Sequence, residues 1–248
     1  MGVLYNSRIV TDGLVLCLDA GDKMSYPGAG TTWYDLTANK NNMTLYNGPT
    51  FTTENGGAIV FDGTNDYAKN INNDFTQVTN FTIEICIKLN QNLNSGSNFR
   101  GIFSTVNGTD GYQLFWRPGS GYDYFYFYRG GTALHTATGS SFSSGDILNL
   151  VVVWDSSNIN NSFIYINNED KTDTRGSTST SNSTDYLTLG GPRADLNSGY
   201  YLNQDIYFCK MYNRVLSRDE ITQNYKATKG RFGLWYILME NHYNGNII

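Results

Sequence analysis

Short runs of alternating apolar and polar residues recur along the chain, separated by turn-forming residues. In the clearest run, Phe81 to Leu89, phenylalanine, isoleucine and leucine share one face, and Thr82, Glu84, Cys86 and Lys88 share the other. Such strict period-two alternation predicts a β-strand. Comparable runs continue to about residue 212, with Gly, Asn and Asp between them. The pattern predicts more than a dozen strands in an all-β, jelly-roll sandwich.

The segment after the last predicted strand carries the signals of one short helix. Ser217 and Glu220 have the spacing of a capping box, in which each side chain accepts a backbone N–H of the other residue. Ile221 and Tyr225 are four residues apart and form a short apolar stripe. Gly230 is the expected terminator. We therefore expect a single C-terminal α-helix after the strands.

Five segments of the chain carry recognisable motifs. They are the Phe-Asp-Gly-x-x-Asp-Tyr hairpin in 58–68, the strand 81–89, the hairpin 154–169, the Leu-x-Leu-Gly-Gly strand in 186–191, and Tyr-Asn-Arg-x-Leu-Ser-x-x-Glu-Ile in 212–221. Together they resemble laminin G-like domains of the concanavalin A-like lectin/glucanase superfamily. The variety they resemble is common in bacterial surface proteins and in the structural proteins of tailed bacteriophages.

The resemblance implies a fold and a division of the chain. The fold is a concanavalin A-like jelly roll of two antiparallel sheets over residues 13–233, with an arm at 1–12 and a tail at 234–248. Cys86 stands where the family commonly has Trp, and Asn168 replaces a usual Gly in a turn. Asn tolerates left-handed backbone angles, so that turn can persist. The fold carries many unrelated tasks, so the resemblance says little about function.

Composition excludes some classes of function. A chain of 248 residues suits one large β-domain, and its net charge of −5 comes without a basic block, so we expect no nucleic-acid surface. Cys17, Cys86 and Cys209 each lie in an apolar run, which indicates buried thiols and folding in a reducing cytosol. The N-terminal sequence resembles neither a signal peptide nor a transmembrane helix, so no membrane association is expected.

The carboxylates do not form the pattern that glycoside hydrolases need. Those enzymes use paired carboxyl groups that face one cleft. Glu84 stands alone in its strand, adjacent Glu169 and Asp170 point to opposite faces, and Glu220 is used by the capping box. No Gly-x-Ser-x-Gly nucleophile elbow is present either. We expect a protein that is not an enzyme, with glycoside hydrolase as the weakest alternative.

An aromatic strand is the candidate binding surface. Tyr122, Tyr124, Tyr126 and Tyr128 alternate along one strand, and Trp116 lies in the strand before it. These residues are either half-buried packing positions or an aromatic surface for sugar rings or a partner protein, since Tyr combines apolar area with a polar tip.

Calcium is the one cofactor that the loops could hold. Asp62, Asp66 and Asp155 lie in predicted turns, and Ca²⁺ takes six to eight oxygen ligands of this kind. The resemblance also implies a calcium ion at the rim of the sandwich. The alternative is that each carboxylate caps its own turn. A bound ion would raise the melting temperature, and excess EDTA would lower it.

The apolar tail completes the functional hypothesis. Its residues either pack back on the sandwich or insert into a neighbouring molecule; they are Leu234, Trp235, Tyr236, Ile237 and Leu238. The first hypothesis is a virion structural protein of a tailed phage, made in the host cytoplasm as a capsid decoration or tail-associated subunit. It would contact other virion proteins and host surface glycans, and a homo-oligomer is compatible with it. The alternative is a free carbohydrate-binding, lectin-like module.

Overall fold

The computed structural model describes residues 8–70, 76–93, 99–106, 111–117, 124–130, 132–136, 142–177, 179, 186–191 and 200–233. Only the backbone is described at residues 117, 124, 132–133 and 135–136.

Seventeen strands and one α-helix are described. The strands are β1 (Leu14–Asp19), β2 (Thr32–Trp33), β3 (Met43–Tyr46), β4 (Thr50–Thr52), β5 (Ala58–Asp62), β6 (Tyr67–Asn70), β7 (Phe81–Leu89), β8 (Arg100–Ser104), β9 (Tyr112–Arg117), β10 (Tyr124–Arg129), β11 (Thr132–Thr136), β12 (Ile147–Trp154), β13 (Phe163–Ile166), β14 (Glu169–Asp170), β15 (Thr172–Arg175), β16 (Thr188–Leu189) and β17 (Asn203–Tyr212). The helix α1 (Arg218–Thr228) continues into a 3₁₀ turn, Lys229–Phe232.

The strands form two antiparallel sheets, which confirms the predicted all-β fold with one short C-terminal helix. The eight-stranded sheet has the order β14-β13-β12-β7-β17-β5-β4, with β1 also pairing with β17. The nine-stranded sheet has the order β15-β11-β10-β9-β8-β16-β6-β3-β2. Since strands adjacent in space are often distant in sequence, the arrangement is consistent with a jelly-roll sandwich.

The main core lies between the two sheets. Strands β7 and β12 contribute the alternating residues Ile83, Ile85, Leu150 and Val152, all of them buried. Both sheets and their connections contribute large rings to this core. The largest fully buried ones are Trp33, Phe61, Phe81, Phe103, Tyr112, Trp116, Phe125, Phe127 and Trp154. Burial of this much apolar surface is the dominant favourable term in folding.

The outer face of the eight-stranded sheet is buried as well, because α1 packs on it. Ile221 of the helix joins Val151, Val153 and Tyr212 of the sheet in a second apolar cluster. The alternation in β7 therefore separates two faces that both lie inside the protein. Glu84 on the second face is only 1% exposed.

Glu84 has several buried partners under α1. Its Oε2 atom lies 3.3 Å from Lys210 Nζ and accepts a hydrogen bond from Asn224 Nδ2 at 3.0 Å. Its Oε1 atom accepts one from Asn149 Nδ2 at 2.9 Å. One carboxylate thus joins β7, β12, β17 and the helix.

The predicted capping box of α1 is confirmed. Ser217 Oγ accepts the backbone N–H of Glu220, and Glu220 Oε2 accepts that of Ser217. Glu220 also forms a two-pronged ion pair with Arg214, whose nitrogens lie 2.6 and 3.0 Å from the carboxylate oxygens. These hydrogen bonds, that of Arg214 above all, lower the pKa of Glu220 to about 2.

The helix ends differently from the sequence expectation. The chain passes Gly230 within the 3₁₀ turn, and the left-handed residue is Gly233, with a φ of 65°. The turn is extended because Phe232 packs on Tyr207, with ring centroids 4.8 Å apart. Within the described ranges, no helix has the length and apolar character needed to cross a membrane.

The described end of the arm is attached to this same region. The backbone N–H of Val10 donates to Asn224 Oδ1 at 2.8 Å, and Tyr212 Oη donates to the carbonyl of Val10 at 3.0 Å. The three cysteines are free and buried, as the sequence predicted. Burial raises the pKa of the Cys17 thiol to about 11.

Replacing Glu84 by glutamine is expected to destabilise the protein strongly. The substitution keeps the shape of the side chain but leaves the ammonium of Lys210 buried without its counter-charge, a loss of about 3 kcal/mol. Urea unfolding measures the change. The double variant Glu84→Gln/Lys210→Met removes both charges but keeps an amide oxygen as an acceptor beside Asn149 and Asn224, and it is expected to regain much of the stability. A wild-type unfolding midpoint for Glu84→Gln would contradict this account.

The ion pair of Glu220 predicts a pH dependence of stability. Because the folded-state pKa is lowered from 4.5 to about 2, the carboxylate stabilises the protein fully above pH 4.5 and loses this effect as the pH falls towards 2. Thermal unfolding of the wild type between pH 6 and 2.5 should therefore show a steeper acid loss than that of Glu220→Gln. Arg214→Gln removes the main cause and should flatten the profile similarly. If the melting temperatures of all three proteins change in parallel with pH, the ion pair of Glu220 is not the cause of the acid loss.

Candidate functional site

The outer face of the nine-stranded sheet carries a row of polar side chains. In register order the row is Tyr128, Gln113, Ser104, Thr188 and Lys69, each directly opposite the next on a neighbouring strand. Directly opposite residues of antiparallel strands project from the same face. The row therefore crosses the sheet from β10 to β6.

The adjacent row confirms which face is outside. Phe127, Leu114, Phe103, Leu189 and Ala68 are likewise opposite one another in register, and all are fully buried between the sheets. Since neighbours along a strand alternate between faces, the polar row lies on the side of the sheet away from the core. Tyr128, Gln113 and Lys69 are half-buried there, whereas Ser104 and Thr188 are buried.

A pocket of about 110 Å³ opens on this face. Its lining residues are Phe99, Gly101, Phe103, Ser104, Gln113, Leu114, Phe115, Gly191 and Tyr200. Gly101 lies directly opposite Phe115, and without a side chain it leaves depth beside that ring. The result is an apolar recess with an amide and a hydroxyl at its wall, a composition typical of small-ligand sites.

Four half-buried aromatic rings form the apolar part of the site. The ring of Phe99 lies edge-on to Phe115 at 5.1 Å between centroids and is stacked with Tyr200 at 5.7 Å. Tyr126 lies 5.1 Å from Phe115 and extends the ring cluster beyond the pocket. Rings at these separations support one another's orientation. They offer flat apolar surfaces next to the polar groups of the pocket wall.

The family of the chain follows from comparison with known proteins. The family model Laminin_G_3, of the concanavalin A-like lectin/glucanases superfamily, matches residues 62–222. The chain belongs to this family. The match covers most of the sandwich, including the strands that form the pocket, and it confirms the family resemblance found in the sequence.

Solved structures share the fold of this laminin G-like domain. The sialidase of Trypanosoma rangeli in complex with sialic acid has a TM-score of 0.64 at 13% identity, over 90% of this chain and 34% of that one. The receptor binding domain of botulinum neurotoxin C/D mosaic serotype has a TM-score of 0.58 at 13% identity, over 86% and 51%. The chain thus spans about a third of the sialidase and half of the neurotoxin fragment. A sequence search of curated proteins found no match.

The domain places part of the predicted tyrosine surface at this site. Tyr126 and Tyr128 are half-buried on the outer face, and the backbone of Tyr124 continues β10 opposite residue 117. Tyr122 lies outside the described residues. Tyr126 and Tyr128 are thus half-buried positions that each keep an accessible part, and their role as a surface for sugar rings or a partner protein stays a prediction.

Trp116 is a core residue, not a surface one. It is fully buried, its Nε1 donates to the carbonyl of Leu93 at 2.9 Å, and its ring meets Phe125 edge-on. A ligand on the sheet surface cannot reach it. The residue of β9 that does reach the surface is its neighbour, Phe115.

The aromatic rings that the sequence did not single out are Phe99, Phe115 and Tyr200. The alternation in β9 separates Gln113 and Phe115 from the residues between them, but alternation alone does not say which set faces outward. Phe99 and Tyr200 stand outside regular alternation. Their meeting depends on the sheet order, which places β8 and β9 beside the chain that enters β17.

The three candidate calcium ligands act as turn acceptors. Asp62 Oδ1 accepts the backbone N–H of Thr64 at 2.7 Å, and Asp66 Oδ2 accepts that of Asp62 at 3.1 Å. Asp155 Oδ1 accepts the N–H and hydroxyl of Ser157. The hydrogen bond from Thr64 lowers the pKa of Asp62, whereas burial raises the pKa of Asp66.

These carboxylates do not converge on one point. Asp62 and Asp66 share a hairpin at the Leu89 end of β7, while Asp155 follows β12 at the Phe81 end. In the part of the chain that the structure describes, no three His, Cys, Asp or Glu side chains are grouped as a metal site. Calcium binding stays a prediction.

A second surface feature lies in the loops beside β1. Met24, Tyr34 and Leu36 are 78%, 45% and 37% exposed and border a cavity of about 450 Å³ together with Lys40 and Asn42. We call these three residues the apolar loop patch. The tail residues Leu234 to Leu238, predicted as a docking segment, lie outside the described residues.

Proposed function

We propose that this laminin G-like domain is a non-enzymatic carbohydrate-binding protein whose pocket holds a sugar ring against the cluster of Phe99, Phe115 and Tyr200. The observation that carries the proposal is the half-buried ring cluster at the mouth of an apolar recess that has an amide at its wall. The C–H face of a sugar packs on an aromatic ring, and its hydroxyls reach polar groups at the edge. Gln113, which is half-buried in the pocket wall, is suited to that second role.

The chemistry of the lining supports binding without hydrolysis. Glycoside hydrolases commonly place two carboxyl groups on either side of the scissile bond. The described lining of this pocket contains no carboxylate. Two other carboxylates lie on the side of the eight-stranded sheet, away from the pocket. Glu84 is paired with Lys210, and Glu220 is paired with Arg214.

The comparisons support a binding role in general terms. The superfamily is described as lectins and glucanases, and the structural neighbours include a sialidase bound to sialic acid and a receptor binding domain. At 13% identity these neighbours share the fold alone. The proposal for this chain therefore rests on its own pocket.

Phe115→Ala is expected to weaken glycan binding about tenfold, because loss of a stacking ring removes on the order of 1.4 kcal/mol. The measurement is a glycan array of bacterial polysaccharides and their oligosaccharides, followed by calorimetry on those that bind. Tyr34→Ala, which removes an exposed ring from the apolar loop patch, is the matched control and should bind as the wild type does. If no glycan on the array binds, or if Phe115→Ala binds as tightly as the wild type, the result counts against the proposal.

A particle-bound role is favoured by the apolar loop patch. We propose that the domain is a virion structural protein of a tailed phage, a capsid decoration or tail-associated subunit made in the host cytoplasm. Met24, Tyr34 and Leu36 are large apolar side chains left in solvent, and such groups mark contact surfaces on soluble proteins. In a particle, a virion protein or another copy of the domain would cover them, and the pocket would stay free for host surface glycans.

The variant Met24→Asp/Leu36→Asp is expected to be absent from purified particles, since two buried carboxylates would oppose the contact. Deletion of 234–248 should have the same effect. Mass spectrometry of particles assembled in the presence of each variant measures incorporation. Lys226→Gln, at an exposed position of α1, is the control. If the double variant and the deletion protein are both incorporated normally, neither the apolar loop patch nor the tail attaches the domain to the particle.

A further inference from the structure

The apolar loop patch is built on a fixed backbone. Asp35, which is only 1% exposed, lies between Tyr34 and Leu36, and its Oδ1 atom accepts the backbone N–H of Cys17 at 2.9 Å. The N–H of Leu36 in turn donates to the carbonyl of Cys17 at 2.9 Å. These bonds attach the segment to β1. Tyr34 and Leu36 are therefore exposed from an anchored backbone rather than from a loose loop.

The loop that carries Met24 is attached to the same place. Ser25 Oγ accepts the backbone N–H of Asp19 at 3.0 Å and donates to the carbonyl of Tyr34 at 2.6 Å. The N–H of Met24 donates to Asp22 Oδ1 at 2.8 Å. The three side chains of the patch thus border one cavity of about 450 Å³, which is large enough to accept an aromatic side chain.

The described end of the chain lies against this loop. Arg231 Nη1 is 2.6 Å from Asp19 Oδ1, and Arg231 Nη2 donates to the carbonyl of Gly57 at 2.6 Å. The packing is so close that a Cβ atom at Gly21 would lie 2.5 Å from Arg231 Nη2. Gly233 follows two residues after this arginine. The chain beyond Gly233 therefore starts beside the loop that carries the patch.

The next five residues suit the patch in length and in composition. Residues 234–238 are Leu, Trp, Tyr, Ile and Leu, and in an extended form they span roughly 17 Å. Met24 is three residues from Gly21, a path of at most about 10 Å. Both the segment and the patch consist of large apolar side chains, whose joint removal from water is favourable. The segment is long enough to reach the patch and has the chemistry to cover it.

The attachment point favours the chain's own tail over that of a second copy. A segment joined to the domain beside its binding site has an effective concentration in the millimolar range. A second copy of the chain at micromolar concentration competes poorly with it. The occupant expected in solution is therefore residues 234–238 of the same molecule.

We infer that residues 234–238 pack on the apolar loop patch of their own chain, with Trp235 in the cavity bordered by Met24, Tyr34 and Leu36. Tail and patch then form one surface, so a change in either would remove the same contact from a particle. The packing itself belongs to the domain in solution, and it depends neither on the proposed particle role nor on sugar binding.

The test uses the fluorescence of Trp235 in the full-length chain. The other three tryptophans are fully buried and shielded from acrylamide; they are Trp33, Trp116 and Trp154. The variant Trp235→Phe gives the emission of these three alone, and subtraction isolates Trp235. We expect Trp235 to be protected from acrylamide in the wild type. In Met24→Asp/Leu36→Asp its protection should be lost and its emission should shift to longer wavelength, because carboxylates on the patch oppose apolar contact.

The matched control is Ser144→Asp/Asn160→Asp, which adds two carboxylates at exposed positions on either side of β12, across the sheet from β1. It should leave Trp235 protected. Unchanged emission from the three core tryptophans shows that each variant is folded.

Dilution separates the chain's own tail from that of a second copy. Protection that persists into the low micromolar range and is lost in the patch variant supports the inference. Protection that disappears on dilution assigns the patch to a second copy's tail and overturns it. An accessible Trp235 in the wild type, or equal protection in the patch variant, overturns it as well. None of these outcomes depends on the glycan array or on particle incorporation, so the proposed function succeeds or fails separately.

Discussion

The buried charge pair of Glu84 and Lys210 constrains the whole eight-stranded side of the molecule. Two charges out of water are tolerated only when hydrogen bonds complete their surroundings, because desolvation otherwise exceeds their attraction. Asn149 and Asn224 supply those bonds to Glu84, and Asn224 belongs to α1. An 11-residue helix with few apolar residues is thereby fixed at one place on the sheet. Its attachment also holds Val10, so both described ends of the chain meet over β7 and β17.

This arrangement gives the two sheets different roles. The helix, its 3₁₀ turn and the described end of the arm all cover the outer face of the eight-stranded sheet. The nine-stranded sheet keeps its outer face accessible at Gln113, Phe115, Tyr126 and Tyr128, which are half-buried. The eight-stranded sheet is thus enclosed by packing on both faces, and the nine-stranded sheet presents the surface proposed to bind a sugar.

Local patterns in the sequence predicted what depends on local contacts. The capping box of Ser217 and Glu220 is a contact between near neighbours in the chain, so its spacing was sufficient to predict it. Alternation separated the two faces of each strand, but it could not tell that both faces of β7 are buried, or that Trp116 faces inward. Those properties depend on what packs against each face. Sheet order decides the remaining distances. It brings Phe99 beside Tyr200, which is about a hundred positions away in the chain, and it places Asp155 at the opposite end of β7 from Asp62.

The half-buried phenylalanines Phe99 and Phe115 are the strongest reason to propose the pocket as a binding site. Every fully buried ring in the core contributes its transfer free energy to folding, at about 25 cal/mol for each Å² of apolar area removed from water. Phe99 and Phe115 gain only part of it, although Ser or Thr would serve a strand surface equally well. Gly101 lies opposite Phe115 without a side chain, so Phe115 is covered only in part, by Phe99 and Tyr126. The apolar area that folding leaves in water at this place is area that a bound sugar ring would remove from water.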